Sequence, residues 1–139
     1  MTVIGIDIGG TKVCVGLVDV SGRVLLESTF PTSPRDGFHT ALAKIVKTIE
    51  HVLSQTDENT NAISGIGIGC TGPIDPLRGT IHNPYTLPTW DGCDLVTPLR
   101  ERFGVPVRME NDADAAALGE YAFGAGQQKN PMAMLTFGT

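Results

Sequence analysis

The sequence has few aromatic residues and no run of basic residues. The lack of a basic run limits the kinds of ligand that we expect the protein to bind. Aromatic residues make up 6% of the 139 residues, and the ten Lys and Arg residues are scattered through a chain of net charge −5. We expect no nucleic-acid partner, because phosphate backbones are bound by clustered basic side chains. A small anionic ligand is compatible with these counts, since it needs only one local site.

Cysteine and long apolar segments are also scarce. The three cysteines, Cys14, Cys70 and Cys93, lack the close pairing of a zinc or redox motif, so we expect reduced thiols in or near the core. No apolar run reaches membrane-spanning length, and no charged segment followed by an apolar one opens the chain. We therefore expect a cytoplasmic protein without a membrane partner.

Hydrophobic residues make up 41% of the chain, enough for the core of one globular domain. Their periodicity predicts an α/β fold with a mixed five-stranded sheet, in which three antiparallel strands are joined by parallel strands and flanked by helices. A further strand and a polar surface loop complete the prediction. The predicted strands cover 3–8, 13–18, 24–30, 63–69, 105–109 and 132–137, the helices 37–53, 95–103 and 113–123, and the loop 55–61.

The turn after the first strand carries the strongest functional signal. Gly9, Gly10, Thr11 and Lys12 combine backbone amides that can approach an anion, a hydroxyl and a positive charge. The pattern predicts a phosphate site, with Asp7 facing Mg²⁺ or its waters. It is not a Walker motif, because the turn returns into a strand. The same octapeptide also fits a tight hairpin with an exposed Asp and Lys.

Three polar loops, 7–12, 71–75 and 110–112, each follow a predicted strand. Because ligands gather outside the carboxyl ends of strands in α/β sheets, we expect these loops to converge on one cleft. Asp112 is suited to act as a general base on a sugar hydroxyl, and Asn111 to orient the same sugar. The alternative is that both residues cap the following helix, and the two roles are compatible.

Other polar and aromatic residues have simpler interpretations. Trp90 can stack on a sugar ring, although a core plug in its Pro-rich loop is the favoured interpretation. Asp75, between two prolines, is a turn residue. The three histidines, His39, His51 and His82, share no metal-ligand spacing.

Together, these motifs resemble the ROK family of sugar kinases and sugar-responsive repressors, within the superfamily of actin-like, hexokinase-like and heat-shock chaperone ATPases. Residues 5–12 look like the family's first phosphate motif, 65–75 like its sugar-cleft segment and 110–120 like its catalytic motif. Residues 136–139 look like the start of its second phosphate motif. The resemblance implies a ribonuclease H-like, actin-like ATPase lobe.

The resemblance also implies site roles. Asp112 would be the general base, and Asn111 and the Gly72 backbone would contact the sugar. The loop 83–90 is similar to the family's substrate loop, which makes Asn83 and Thr86 substrate-binding candidates.

Two further residues, Gly138 and Thr139, would join the turn 9–12 in binding nucleotide phosphates. Thr86 stands where an Asn is usual in the substrate loop, and Thr89 where a Gly is usual, which leaves the identity of the sugar open. ATP and Mg²⁺ are the implied cofactors.

By this resemblance, residues 1–139 form the N-terminal lobe of a kinase whose C-terminal lobe, with the adenine site and a cysteine-rich zinc site, is absent. We expect the parent protein to phosphorylate a hexose with ATP, with glucose at its 6-hydroxyl as the leading substrate. The isolated chain would be inactive.

Three alternatives stay open. One is a kinase for N-acetylmannosamine, N-acetylglucosamine, fructose or allose. Another is a sugar-sensing repressor, which would need a helix-turn-helix region before Asp7. A third is a non-catalytic lobe that self-associates through apolar surface. For the kinase, too, we expect a homo-oligomer, most simply a dimer.

Overall fold

A computed structural model of the chain describes residues 1–56 and 63–137. The described residues form a five-stranded mixed sheet, a two-stranded ribbon and flanking helices. The strands are β1 (Thr2–Ile8), β2 (Lys12–Asp19), β3 (Val24–Pro31), β4 (Ile63–Cys70), β5 (Ile74–Asp75), β6 (Thr80–Ile81) and β7 (Val107–Asn111), and the helices are α1 (Phe38–Ser54), α2 (Val96–Phe103) and α3 (Asp112–Phe123).

The first three strands form the predicted antiparallel meander. β1 pairs with β2 from Thr2↔Asp19 to Ile8↔Val13, and β2 pairs with β3 along nearly its whole length. β-branched residues alternate along β1 and β2, which suits a sheet that buries one face. The prediction of a hairpin around the turn 9–12 is confirmed.

The other strands of the main sheet run parallel to β1, and the sheet order is β3-β2-β1-β4-β7. Helix α1 crosses from β3 to β4, and α2 precedes β7. Because β1, β4 and β7 are parallel neighbours, their carboxyl ends lie at the same edge of the sheet. The loops that follow these strands are therefore adjacent, as the sequence predicts.

The core lies between one face of the sheet and the helices α1 and α2. Helix α1 buries residues at spacings of three or four, the period of an amphipathic helix. Leu99 of α2 is fully buried, and Gly104 ends that helix in a left-handed conformation with a φ of 65°. The buried residues of α1 are Phe38, Ala41, Ile45, Ile49 and Val52.

The opposite face of the sheet is rich in glycine, and α3 lies over part of it. A Cβ added to Gly69 would lie 3.4 Å from the Ala115 Cβ, so the missing side chain lets α3 approach β4 closely. None of the residues of α3 is buried. Leu118, Tyr121 and Phe123 are exposed, although the Ala-rich pattern correctly predicts the helix itself.

Three sequence predictions need correction. The loop predicted at 71–75 ends in the short strand β5, because Ile74 and Asp75 pair with β6. Residues 132–137 form no strand, because they join no hydrogen-bonded ladder with the strands described within 1–56 and 63–137, and Leu135 and Phe137 are exposed. The strand predicted at 105–109 runs instead over Val107–Asn111. Pro106 has no N–H to donate, and pairing with Gly69 and Cys70 extends the strand to Asn111.

The predicted surface loop at 55–61 lies mostly outside the described residues. Within the described part of the chain, no helix has the length and apolar character needed to cross a membrane.

Candidate functional site

The ends of β1, β4 and β7 bring the polar loops of the sequence prediction together. Asp7 pairs with Gly69, which pairs with Glu110, and one step further Ile8 pairs with Cys70, which pairs with Asn111. Neighbouring strands lie about 4.8 Å apart, so the ends of β1 and β7 are about 10 Å apart.

The turn between β1 and β2 presents unpaired donors. The Gly9 N–H donates to the Lys12 carbonyl at 3.0 Å and closes the turn. Within the described residues, the N–H groups of Gly10 and Thr11 have no acceptor, and the Lys12 ammonium has no ion-pair partner. Two free amides and a free cation in one short turn suit an anionic ligand.

The carboxylates of Asp7 and Asp112 line the same cavity of about 1020 Å³, together with those of Glu27 and Glu110. This cavity runs along the glycine-rich face of the sheet, and its lining does not include the turn 9–12. Burial raises the pKa of the Cys70 thiol to about 12, and the carboxylates of Asp112 and Asp7 add to the rise. Both carboxylates therefore lie near Cys70, at the end of β4.

Asp112 is the first residue of α3, and one of its two carboxylate oxygens accepts a hydrogen bond. The Ala113 N–H donates to Asp112 Oδ1 at 2.9 Å, whereas Asp112 Oδ2 has no hydrogen-bond or ion-pair partner in the part of the chain that the structure describes. The first bond holds the carboxylate in place, and the second oxygen is free to accept a proton.

Asn111 both caps α3 and borders the loop after β4. The Ala113 N–H that donates to Asp112 Oδ1 is shared with Asn111, whose Oδ1 accepts from it at 3.0 Å, which makes Asn111 the N-cap. A Cβ added to Gly72 would lie 2.8 Å from Asn111 Nδ2, so any larger residue there would displace the Asn111 side-chain amide. The predicted alternatives of capping and ligand contact are thus compatible at Asn111, as they are at Asp112.

The loop after β6 is built around Asn83, which is 1% exposed. Asn83 Nδ2 donates to the Gly72 carbonyl at 2.6 Å, and its Oδ1 accepts from the Thr86 N–H at 2.9 Å. The side chain therefore braces two loops. Thr86 lies against the turn 9–12, since a Cβ added to Gly10 would be 2.5 Å from Thr86 Cγ2.

Trp90 and Asp75 have structural roles. Trp90 is fully buried and packs edge-on against Phe38, with ring centroids 6.0 Å apart, so the core-plug interpretation is confirmed. Asp75 Oδ1 accepts from the N–H groups of Leu77 and Arg78, as expected of a turn residue.

Gly138 and Thr139, predicted to bind phosphate, lie outside the described residues. One residue that the sequence did not point to is Thr32, whose hydroxyl donates to the Gly9 carbonyl in the turn 9–12. A single Thr after a strand belongs to no motif, and only the fold brings it to the turn.

The donor set at this edge of the sheet fits Mg²⁺ only where a bound ligand supplies further oxygen atoms. No cluster of three His, Cys, Asp or Glu side chains suited to a metal ion occurs within residues 1–56 and 63–137. Mg²⁺ commonly binds one or two carboxylates together with substrate phosphates and waters. Asp7 is exposed, has no ion-pair partner among the described residues and lies beside the turn, so it fits that role.

Comparisons with known proteins agree on one family. The sequence profile of the ROK family matches residues 3–139. The glucokinase of Thermotoga maritima is 37% identical over 139 residues, which cover all of this chain and 42% of that protein. The xylose repressor of Bacillus spizizenii is 32% identical over 91% of this chain and 32% of its own length.

A solved structure gives the same fold. The ROK family glucokinase of Streptomyces griseus, in complex with glucose and AMPPNP, superimposes with a TM-score of 0.76 at 36% identity, over 92% of this chain and 38% of that one. The predicted α/β lobe of the actin-like ATPase type is thereby confirmed. This chain spans about two fifths of the length of the glucokinases it matches. The chain belongs to the ROK family.

Proposed function

We propose, from this family membership and the geometry at the sheet edge, that the chain is the N-terminal lobe of an ATP-dependent hexose kinase. Glucose, accepting the phosphoryl group at its 6-hydroxyl, is the leading substrate. The observation that carries the proposal is the Asp112 carboxylate, whose Oδ1 is fixed by the Ala113 N–H and whose Oδ2 is unpaired within the described residues. It lines the same cavity as Asp7.

In this mechanism Asp112 Oδ2 accepts the proton of the sugar hydroxyl as the hydroxyl oxygen attacks the γ-phosphorus of ATP. A bond forms between that oxygen and phosphorus, the bond to the β,γ-bridging oxygen breaks, and its electron pair leaves with ADP. The hydrogen bond to Oδ1 limits rotation of the carboxylate. The general base is then already oriented when the sugar binds.

The turn 9–12 would bind the phosphates. The amides of Gly10 and Thr11 donate to phosphate oxygens, and the Lys12 ammonium offsets their charge. Asp7 would hold Mg²⁺, which neutralises charge that develops on the phosphoryl oxygens. Gly138 and Thr139 would extend this site.

The sugar would lie between the loops after β4 and β7. Asn111 Nδ2 and the Gly72 backbone would contact its hydroxyls, and Thr86 would border it from the substrate loop. Asn83 would act by bracing that loop, since its amide is bonded to Gly72 and Thr86. N-acetylmannosamine, N-acetylglucosamine, fructose and allose are the alternative acceptors.

Residues beyond these 139 would complete the enzyme in this proposal, because the chain spans only 42% of the Thermotoga maritima glucokinase. The adenine site and a zinc site would lie there. The 139-residue chain alone would not turn over. A homodimer is the proposed assembly.

The test is an ATP-dependent phosphorylation assay with a panel of hexoses, on the longest natural chain that carries these residues. Asp112→Asn should lower kcat by about 10²- to 10⁴-fold, the usual contribution of a general base. Asp114→Asn is the matched control, since Asp114 is an acidic residue in the first turn of the same helix. Equal activity of Asp112→Asn and wild type would refute the role of Asp112.

The second candidate is a sugar-sensing repressor domain, which the 32% identity to a xylose repressor favours. It predicts sugar binding without phosphorylation by the longest chain, together with sugar-dependent release of DNA. The hexose panel, read by calorimetry as well as by turnover, separates the two functions.

A further inference from the structure

Thr32 follows β3 directly and lies behind the phosphate turn. It is 1% exposed, one of the few buried polar residues among those described. Its Oγ1 donates to the Gly9 carbonyl at 2.6 Å, and its backbone N–H donates to the Thr11 carbonyl at 3.0 Å. One residue on a neighbouring strand end thus bonds the turn at two points.

The hydroxyl bond sets the direction of a peptide group. In a trans peptide, the C=O of Gly9 and the N–H of Gly10 lie in one plane and point in opposite directions. Because Thr32 Oγ1 holds the Gly9 oxygen toward the protein, the Gly10 N–H points away from Thr32. That N–H has no acceptor within residues 1–56 and 63–137.

Glycine makes this restraint necessary. Gly9 and Gly10 have no Cβ, so the peptide between them can rotate through conformations that other residues do not reach. A buried hydroxyl with one strong acceptor restricts that rotation before any ligand arrives, which reduces the ordering cost of binding.

We propose that Thr32 is a positioning residue for the nucleotide, and that its hydroxyl holds the Gly9–Gly10 peptide so that the Gly10 amide can donate to a phosphate oxygen. The inference rests on the proposed function, since it takes the turn to be the phosphate site. Thr32 itself does not touch the ligand.

The experiment compares Thr32→Val, which removes the hydroxyl at nearly constant shape, with Thr32→Ser, which retains it. The longest natural chain carrying these residues is used, with calorimetric Kd for Mg–AMPPNP and steady-state KM for ATP and hexose. Loss of one oriented hydrogen bond should raise the nucleotide Kd and KM by about 5- to 20-fold in Thr32→Val. Thr32→Ser should stay within about twofold of wild type, and the hexose KM should not change.

Thr48→Val is the matched control. Thr48 Oγ1 donates to the Lys44 carbonyl at 2.8 Å inside α1, so the variant loses the same type of bond away from the turn. It should leave the Kd for Mg–AMPPNP unchanged. If Thr32→Val does not fold, Thr32→Cys retains a weak donor at similar volume and should show an intermediate Kd.

An unchanged Kd for Mg–AMPPNP in Thr32→Val or Thr32→Cys would overturn the inference. So would an equal rise of the nucleotide KM and the hexose KM in Thr32→Val that Thr32→Ser also shows. If wild type binds Mg–AMPPNP but phosphorylates no hexose, the proposed function fails while a raised Kd in Thr32→Val still supports the role of Thr32. If wild type binds no nucleotide, both fail.

Discussion

Replacement of Gly10 by alanine tests the contact between the turn 9–12 and the loop 83–90. The added Cβ would lie 2.5 Å from Thr86 Cγ2 and 4.0 Å from Thr86 Cβ. Carbon atoms normally approach to about 3.5–4.0 Å, so the first distance is short by about 1 Å and the second is an ordinary contact. The clash therefore involves a single methyl group.

The expected cost follows from that overlap. Overpacking at a contact costs about 1–3 kcal/mol, and the lower entropy of the unfolded alanine chain returns about 0.4–1 kcal/mol. Gly10 does not have a positive φ, so alanine introduces no backbone strain there. Gly10→Ala should destabilise the protein by about 1–2 kcal/mol, once both effects are combined.

Thr86→Ser removes the clashing methyl group, and the two substitutions form a double-mutant cycle. Equilibrium urea unfolding of wild type, both single variants and the double variant should give a coupling energy of about 1–2 kcal/mol, with the double variant more stable than Gly10→Ala. Gly67→Ala is the control, because a Cβ at Gly67 meets nothing within 4 Å.

Additive effects in this cycle would refute the contact between Gly10 and Thr86. A Gly10→Ala variant as stable as Gly67→Ala would refute it as well. The readout is stability alone, so the outcome does not depend on the proposed kinase activity.

Two further predictions concern the Cys70 thiol and the loop that contains Gly72. The unfolded Cys70 thiol ionises near the ordinary cysteine pKa of 9.0 and the folded one has a pKa of about 12, so unfolding releases a proton and stability falls as pH rises through this window. Cys70→Ala should reduce that fall by up to about 1.4 kcal/mol per pH unit in urea unfolding, and identical slopes would contradict the raised pKa. Gly72→Ala should displace Asn111, costing about 1 kcal/mol through the lost cap of α3 and raising the hexose KM. An unchanged hexose KM in Gly72→Ala would contradict the proposed sugar contact of Asn111.

Elements with a strong local pattern were predicted well. The alternation along β1 and β2, the apolar spacing of α1, and the Ala-rich run of α3 depend on neighbours within each segment. Residues 132–137 also have a strand-like pattern, yet they form no strand, because a strand needs a partner that the local sequence does not specify.

The candidate site residues also divide into those that a local motif predicts and those that only distant contacts reveal. Motifs pointed to Asp7, the turn 9–12 and Asp112, since carboxylates and glycines after strands form a recognisable pattern. The bracing roles of Asn83 and Thr32 were not foreseen. Their hydrogen bonds join residues 11 and 23 positions apart.

The sequence by itself therefore determined most of the elements, the family, and the polar loops that follow β1, β4 and β7, because these follow from periodicity and short motifs. Only the tertiary structure decided which groups remain unpaired at the sheet edge. Asp112 Oδ2 and the Gly10 N–H have no hydrogen-bond partner among the described residues. This depends on every neighbour that folding brings within hydrogen-bond distance of them. Thr32 is one such neighbour of Gly9. The pairing of β2 with β3 brings its hydroxyl within hydrogen-bond distance of the Gly9 carbonyl.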